Sequence, residues 1–476
     1  MIERDFPISD PLAAFAPLAG QPFAHLLSGG AAAAHSWGGA QDMIVAAPSS
    51  TLVVRDGQVE VDGLAIGPAS ENDPFALLNE RLTARKREGA GDGFMSGAVG
   101  YLSYEMARYI EPVLGDLPPA PGTLPEMAVG FYDAGVLFDR KAGTAKLVAL
   151  SENAAARLLQ AIETEQAREV GPVGADNTTP PDEGDFIAAV EACKARILDG
   201  SIFQANITRR LTAGFPGAAL PGADWRALGL PLFERLHEAS ASPFGALLQF
   251  EEGCVLSDSP EKFLEVRPEA SGLKAIAEPV KGTRRRREDP VEDRAVIKDL
   301  LSDEKDRAEN VMITDLVRND LSRVCRDHSI REEAVCELQS FAGVHHLVSR
   351  VSGVLREGVG AIDVLRASYP CGSITGAPKI RAMQVIADLE QNGSQKTGRG
   401  VYCGAIGWFD DRGGAMVSVP IRTAVLEPSA KGARLTYGAG GGITVLSDPQ
   451  AEYQETVDKA GPFRRLIERR FAGEGP

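Results

Sequence analysis

The residue whose type and setting could do covalent chemistry is Lys281, in the run Glu278-Pro279-Val280-Lys281-Gly282-Thr283-Arg284. The run reads as a strand end, then a glycine-containing loop, then a helix opening near Asp289-Pro290. A lysine attacks carbon only as the neutral amine, which requires burial or a cationic neighbour. Arg284 to Arg287 follow at once and could be that neighbour, and a lysine in a basic surface loop fits the segment as well. Upstream, Ser259-Pro260-Glu261 is a turn carrying a carboxylate that could move a proton.

Acids come in two helical sets. Asp448 is a natural helix cap and Pro449 suits the first helical position. Glu452, Glu455 and Lys459 then share one face. A helix from Asp303 places Asp306 and Glu309 on one face in the same way. Two acid pairs on separate helices could hold Mg²⁺, which accepts few carboxylates, several waters and an anionic substrate group. Two solvated helix faces would give the same spacing.

Two glycine-rich stretches accompany them. Gly372-Ser373-Ile374-Thr375-Gly376-Ala377-Pro378-Lys379 opens a helix, where free backbone N–H groups can meet an anion and Thr375 can add a hydroxyl. An ordinary capped helix reads alike. Gly440-Gly441-Gly442, just before the second acidic helix, lets backbone approach a ligand closely. His345-His346 lies in a strand-like context, so the two rings point to opposite sides and do not form a metal pair.

Positioning these groups takes many strands. Period-two alternation over Ile202 to Leu211 puts Gln204, Asn206 and Thr208 on one face, either toward water or lining a wet site. Asp56-Gly57 is a two-residue hairpin turn inside 51–61, and 136–148 reads as a second hairpin. Gly97 to Glu105 is too glycine-rich for a plain strand and suggests close backbone packing. Further strands are predicted at Phe244–Phe250, Gly253–Leu256, Phe263–Val266, Val344–Val354, Val401–Phe409, Ala415–Leu426 and Arg434–Ala439. Strands outnumber what helical crossovers could serve, so antiparallel sheets with helices packed outside are the predicted α+β layout. Residues 170–184 are linker-like, dividing an N-terminal subdomain, 1–169, from a catalytic domain, 185–476, whose first helix is capped by Asp185.

The totals exclude several classes. The chain has 476 residues, 44% of them hydrophobic, so a large core can form. A net charge of −16 speaks against nucleic acid or an anionic membrane, and obliges local donors to hold any anionic ligand. There is no apolar run long enough to span a bilayer, and the first residues lack the basic-then-apolar layout of a signal peptide. Six scattered cysteines, none in a CxxC pair, suggest no disulfide frame and point to the cytoplasm.

The motifs Pro-Val-Lys-Gly-Thr-Arg (279–284), Asp-Glu-Lys-Asp-Arg-Ala-Glu-Asn (303–310), Asp-Leu-Val-Arg-Asn-Asp-Leu (315–321), Gly-Ser-Ile-Thr-Gly-Ala-Pro-Lys (372–379) and Glu-Tyr-Gln-Glu-Thr-Val-Asp-Lys-Ala (452–460) closely resemble those of the chorismate-utilising enzymes. The resemblance is strongest from Asp185 to Phe463. It implies two large facing antiparallel sheets with helices outside. It implies Mg²⁺ held by Glu309 and Glu455, with Asp306 and Glu452 acting through water. Tyr402, Arg422, Thr375, Thr283, Lys459 and the backbone of Gly440, Gly441 and Gly442 would hold chorismate, His346 would meet the ring region, and Glu261 would be the general acid.

Two positions choose among branches of the family. Anthranilate synthases resemble this chain but usually carry a small residue in place of Lys281, and isochorismate and salicylate synthases carry a lysine in place of Gln204. Lys281 with Gln204 therefore implies amination at C4, through a lysine adduct at C2, giving 4-amino-4-deoxychorismate on the way to para-aminobenzoate and folate. Leu26-Leu27-Ser28-Gly29 departs from the pattern of feedback-inhibited anthranilate synthases, as do Arg285 and Cys371 from common family residues. No cysteine has a Gly-x-Cys-x-Gly setting, so ammonia is expected from a separate glutamine amidotransferase subunit, and a separate lyase is expected to complete para-aminobenzoate. The alternatives are an anthranilate synthase large component and a catalytically silent subunit that binds chorismate or tryptophan.

Overall fold

Leu26 and Leu27 are adjacent, yet they enter different cores. The same holds for Ile44 against Met43 and Val45. Period two sends neighbours to opposite faces, and here both faces are covered, so the strands read as continuous apolar runs. The computed structural model describes residues 2–29, 37, 41–89, 93–164, 175–179, 182–216, 225–240, 242–340, 344–390 and 397–468.

Among these residues the strands form two twelve-stranded sheets, and all their pairings are antiparallel. One sheet runs from Ile2–Phe6 through His25–Ser28, Phe244–Gln249 and Gly432–Ile443 to Gln204–Phe215 and Asp176–Asn177. The other runs from Val280–Arg285 through Val344–Val354, Lys262–Glu269 and Gly97–Leu102 to Leu64–Pro68. Leu27, Val45, Phe244 and Leu248 of the first meet Val99, Tyr101, Trp408 and Met416 of the second in a core between the sheets. Helices close the outer faces. Phe233, Leu236 and Phe463 cover the first sheet, and Ile313, Val317, Leu365 and Met383 the second.

The layout is the predicted one. Both stretches on either side of 170–184 give strands to both sheets; residues 170–174 and 180–181 of that stretch lie outside the described residues. The hairpin at Asp56-Gly57 forms with both residues at positive φ, +49° and +72°. Gly97–Leu102 is a full strand, and its glycines are there for close approach: a β-carbon on Gly97 would lie 2.0 Å from the Phe409 carbonyl oxygen, and one on Gly100 2.1 Å from that of Ala128.

Several expectations need correction. Val280–Arg285 is an edge strand paired to Val344–Val354, not a loop. The predicted single strand Ala415–Leu426 is two strands in different sheets, Ala415–Ser418 and Thr423–Ser429. The chain crosses between them at Val419–Arg422, where Pro420 and a left-handed Arg422 (φ +52°) end the ladder. The strand predicted from Val401 begins at Ala405. The helix after the linker starts at Glu183, with Asp182 rather than Asp185 at the capping position. Among the described residues no helix is long and apolar enough to cross a membrane, and all six cysteines are buried and outside any disulfide.

Candidate active site

Lys281 stands at a bulge. The pairing of Val280–Arg285 with Val344–Val354 slips between Val280 and Thr283, where Gly282 takes φ +85°. A bulge re-aims side chains, and this one turns Lys281 toward the Glu304–Ser322 helix, Nζ 3.9 Å from Glu309 Oε2. The backbone fits tightly, since a β-carbon on Gly282 would come within 3.1 Å of Asp306 and Leu300. The expected cationic neighbours are elsewhere. Arg284 pairs with Asp299, Asp303 and Asp306 at 2.8, 2.7 and 2.9 Å, and Arg286 with Asp293 at 3.3 Å. Their charges fasten the edge strand to the two following helices.

Glu261 sits in the turn between Cys254–Ser259 and Lys262–Glu269, held by its own N–H on Ser259 Oγ (3.2 Å) and its carbonyl on the Val419 N–H (3.1 Å). It is 5% exposed, and its Oε1 has no hydrogen-bond partner. Burial pushes its carboxyl above the ordinary carboxylate range, although Ser373 and Lys281 oppose that shift. The next residue, Lys262, is also buried and pairs with Glu265 at 2.8 Å and Glu278 at 2.7 Å, Glu278 being further held by Arg350. That network ties the turn bearing Glu261 to the strand end bearing Lys281.

Gln204 begins the strand Gln204–Phe215, is 1% exposed, and leaves Oε1 without a partner. Gly442, on the neighbouring strand, makes the room: a β-carbon there would lie 2.4 Å from Gln204 Nε2 and 3.3 Å from Lys281 Nζ. Gln204 and Lys281 thus converge on one patch of bare backbone, with Lys281 close enough to Glu261 to act on its charge.

The acids form the next layer, and each meets a cation. Both helices are capped as predicted, Asp303 accepting from the Asp306 N–H and Asp448 from the Ala451 N–H, each at 2.9 Å. Glu452 pairs with Lys305 at 3.2 Å, Glu455 with Lys459 at 2.6 Å, and Lys459 Nζ also donates to the Gly440 carbonyl at 2.9 Å. Burial raises Glu309, whose Oε1 has no partner. Burial would raise Glu455 also, but Lys459, Lys305 and Lys281 hold it low. Lys305 was missed in the sequence; its place one turn before Glu309 on the same helix was the available signal.

The donor set suits Mg²⁺. Glu309 and Glu455 offer hard oxygens, one of them an unpartnered buried atom. A β-carbon on Gly441 would intrude to 3.3 Å from Glu452 Oε2 and 3.7 Å from Glu455 Oε1, so the missing side chain keeps that cradle open. Among the described residues no group of three or more acidic, histidine or cysteine side chains is arranged to hold a metal ion. Asp306 is turned to Arg284.

The remaining candidates are spread around this cluster. His345 and His346 face opposite ways, His345 Nε2 to Asp293 (3.0 Å) and His346 Nδ1 to Thr283 Oγ1 (2.8 Å). Burial, with Arg422 nearby, pushes His346 down to about 4, so its ring is neutral at neutral pH. Arg422 carries the left-handed backbone of the sheet-to-sheet crossing. Thr375 is buried, and its hydroxyl donates back to the carbonyls of Cys371 (3.0 Å) and Gly372 (3.2 Å), while its N–H turns to Gly372. The predicted ring of free donors at that turn is therefore closed on itself at Thr375. Tyr402 packs its ring on Gly438, where a β-carbon would come within 2.5 Å of it, and lines a cavity that none of Lys281, Glu261, Glu309 or Glu455 lines.

A family profile described as chorismate binding enzyme matches residues 31–465. Over 460 residues the chain is 35% identical to aminodeoxychorismate synthase component 1 of Salmonella typhimurium, covering 95% of each. It is 33% identical over 485 residues to anthranilate synthase component 1 of Pseudomonas putida, covering 96% of this chain and 92% of that one. The crystal structure of anthranilate synthase component I from Streptococcus pneumoniae superposes with a TM-score of 0.72 at 27% identity, over 89% of this chain and 92% of that one.

Proposed function

The chain belongs to the chorismate binding enzymes, and from that premise we propose that it is the large component of an aminodeoxychorismate synthase, replacing the C4 hydroxyl of chorismate with an amino group. The observation that carries this reading is the convergence of Lys281 and Gln204 on the bare backbone of Gly442, beside a carboxyl, Glu261, whose hold on its proton burial strengthens. A branch that needed no covalent amine would have no use for a lysine aimed there.

Glu261 holds the proton that the departing hydroxyl takes as water. Lys281 attacks C2 through the lone pair of its Nζ. The two ring double bonds shift, and the C4–O bond breaks. The carboxylate left on Glu261 can accept the proton that the new secondary amine sheds. Ammonia then adds at C4, the double bonds shift back, and the Lys281 amine leaves with a proton from the incoming nitrogen. Dividing the substitution into two displacements fixes amination at C4. Gln204, an amide rather than a base, activates no competing water. Neutral His346, held by Thr283, and the Arg422 fork would orient the substrate. Glu309 and Glu455 would hold Mg²⁺, with Glu452 and Asp306 acting on it through water; its charge would draw the substrate's carboxylate into an acidic protein.

The relatives' designation as component 1 supports a second component, and we assign it the glutaminase role, in the cytoplasm. Anthranilate synthase is the second reading, favoured by the comparable identity to that enzyme. One assay separates them: chorismate, Mg²⁺ and an ammonium salt at alkaline pH, with the product identified by mass and fluorescence. The expected product is 4-amino-4-deoxychorismate, with a substrate-sized mass added on Lys281 in trapped enzyme. Fluorescent anthranilate and an unmodified Lys281 would overturn the proposal.

A further inference from the structure

The cavity lined by Tyr402 measures about 380 Å³, within the range of small-molecule sites. Its floor is the first sheet, where Arg210 lies opposite Gly438 and Thr212 opposite Thr436. The absent side chain at Gly438 admits the Tyr402 ring. Ile207, Leu389 and Val425 add apolar wall.

Four guanidinium groups line this space, and three have carboxylates. Arg209 pairs with Asp182 at 2.9 Å, Arg399 with Glu390 at 2.8 Å and Arg434 with Glu427 at 3.3 Å. Arg210 does not. It donates to Thr397 Oγ1 at 2.6 Å and to the Gly398 carbonyl, and no carboxylate among the described residues is within ion-pair distance. Glu390, Glu105 and Glu427 act on its charge only from beyond ion-pair distance, so the guanidinium, taken from water with neutral acceptors alone, keeps the capacity to pair with an anion. Its planar fork matches a carboxylate through two parallel hydrogen bonds.

We propose that this cavity is a second ligand site, which binds a small monocarboxylate with a flat apolar body through Arg210. The hydroxyls of Thr212 and Thr436 flank the polar end, and Tyr402, Val425 and Leu389 take the body. A second negative charge on the ligand would face Glu390 and Glu427, so a monoanion fits better than the dianionic substrate. The occupant would also touch Tyr402, a residue that the family resemblance assigns to substrate, which gives the site a means of being felt at the reaction centre.

Benzoate is the probe, titrated into the full-length chain by calorimetry, with neutral benzamide as control. Benzoate is expected to bind, and Arg210→Met to weaken it by about tenfold to a hundredfold, the loss of a charge-assisted bidentate pair. Arg210→Lys should fall between the two. Val425→Phe, which fills the cavity and leaves the guanidinium alone, should also block benzoate and guards against misfolding of the arginine variants. Turnover of chorismate should survive Val425→Phe, so failure here is separable from failure of the proposed function. Benzoate binding that is unchanged in Arg210→Met and in Val425→Phe, or that is lost instead in Arg422→Ala, would overturn the proposal, as would absence of binding.

Discussion

Replacing Glu261 by glutamine isolates one atom's work. The side chain is 5% exposed and fits a closed turn, and glutamine has the same shape, so packing is retained. What disappears is the transferable proton. General-acid help is worth about 10²–10⁴ in rate, or about 3–5 kcal/mol of barrier. The assay is steady-state formation of aminated product from chorismate and ammonium, run across pH. Wild-type turnover should fall as pH rises through the raised value of Glu261, where the acid is spent; Glu261→Gln should lack that limb.

Stability should move the opposite way. Burial raises Glu261 above its ordinary value, so the protonated form belongs to the folded state. The stability it contributes is complete below the ordinary carboxylate range and is lost as pH climbs through the raised value. Glutamine does not titrate. The variant should therefore melt higher than wild type at alkaline pH, by a margin that grows with pH until the carboxyl is fully ionised. A group kept at a cost to the fold and needed for the rate is one held for chemistry. A rate loss under about tenfold, or a melting advantage that shrinks as pH rises, would refute the reasoning.

Three further outcomes follow from packing and charge. Gly441→Val would place methyl groups in the cradle beside Glu452 and Glu455, and calorimetric Mg²⁺ affinity should fall by about tenfold or more with the fold retained. Lys379→Met would strip the buried Asp320 of the ammonium 2.7 Å away, and urea unfolding should show a loss of about 3–5 kcal/mol. Gly97→Ala would drive a β-carbon to 2.0 Å from the Phe409 carbonyl oxygen at φ +143°, and the loss, above about 4 kcal/mol, should appear as failure to accumulate soluble protein.

Most local signals survived into the structure, as did the antiparallel two-sheet layout, whereas particular long-range pairings were not legible. Asp448-Pro449, Asp303 and the Asp56-Gly57 turn each depend on a few neighbouring residues, and each forms where the sequence puts it. The alternation puts Phe203, Ala205 and Ile207 on one face; Ala205 and Ile207 do enter an apolar cluster, but Phe203, just before the strand, is 66% exposed. Val280–Arg285 looked like a loop because its arginines lack apolar alternation; they are satisfied by acids on helices that the sequence could not place beside them. Ala415–Leu426 looked continuous because strand-like residues stand on both sides of the crossing; Pro420 was the signal in the sequence, and the left-handed Arg422 completes the break. The acids of the site were legible because they repeat along single helices. Lys305 stands one turn before Glu309 on the same helix and could have been read from that spacing, but its pairing with Glu452 lies across helices and could not.

The charges around the site explain how a chain with net charge −16 can receive an anion. Glu309 faces Lys281, Glu452 faces Lys305, Glu455 faces Lys459 and Asp306 faces Arg284. These four acids each face a cation, so the local field is less negative than the global one. In that setting a divalent ion and a dianion arriving together leave the balance unchanged, whereas either one alone upsets it by two charges. The pairing of acids with lysines therefore favours mutual dependence: the metal should bind more tightly with substrate present, and by linkage the substrate more tightly with metal, by the same factor.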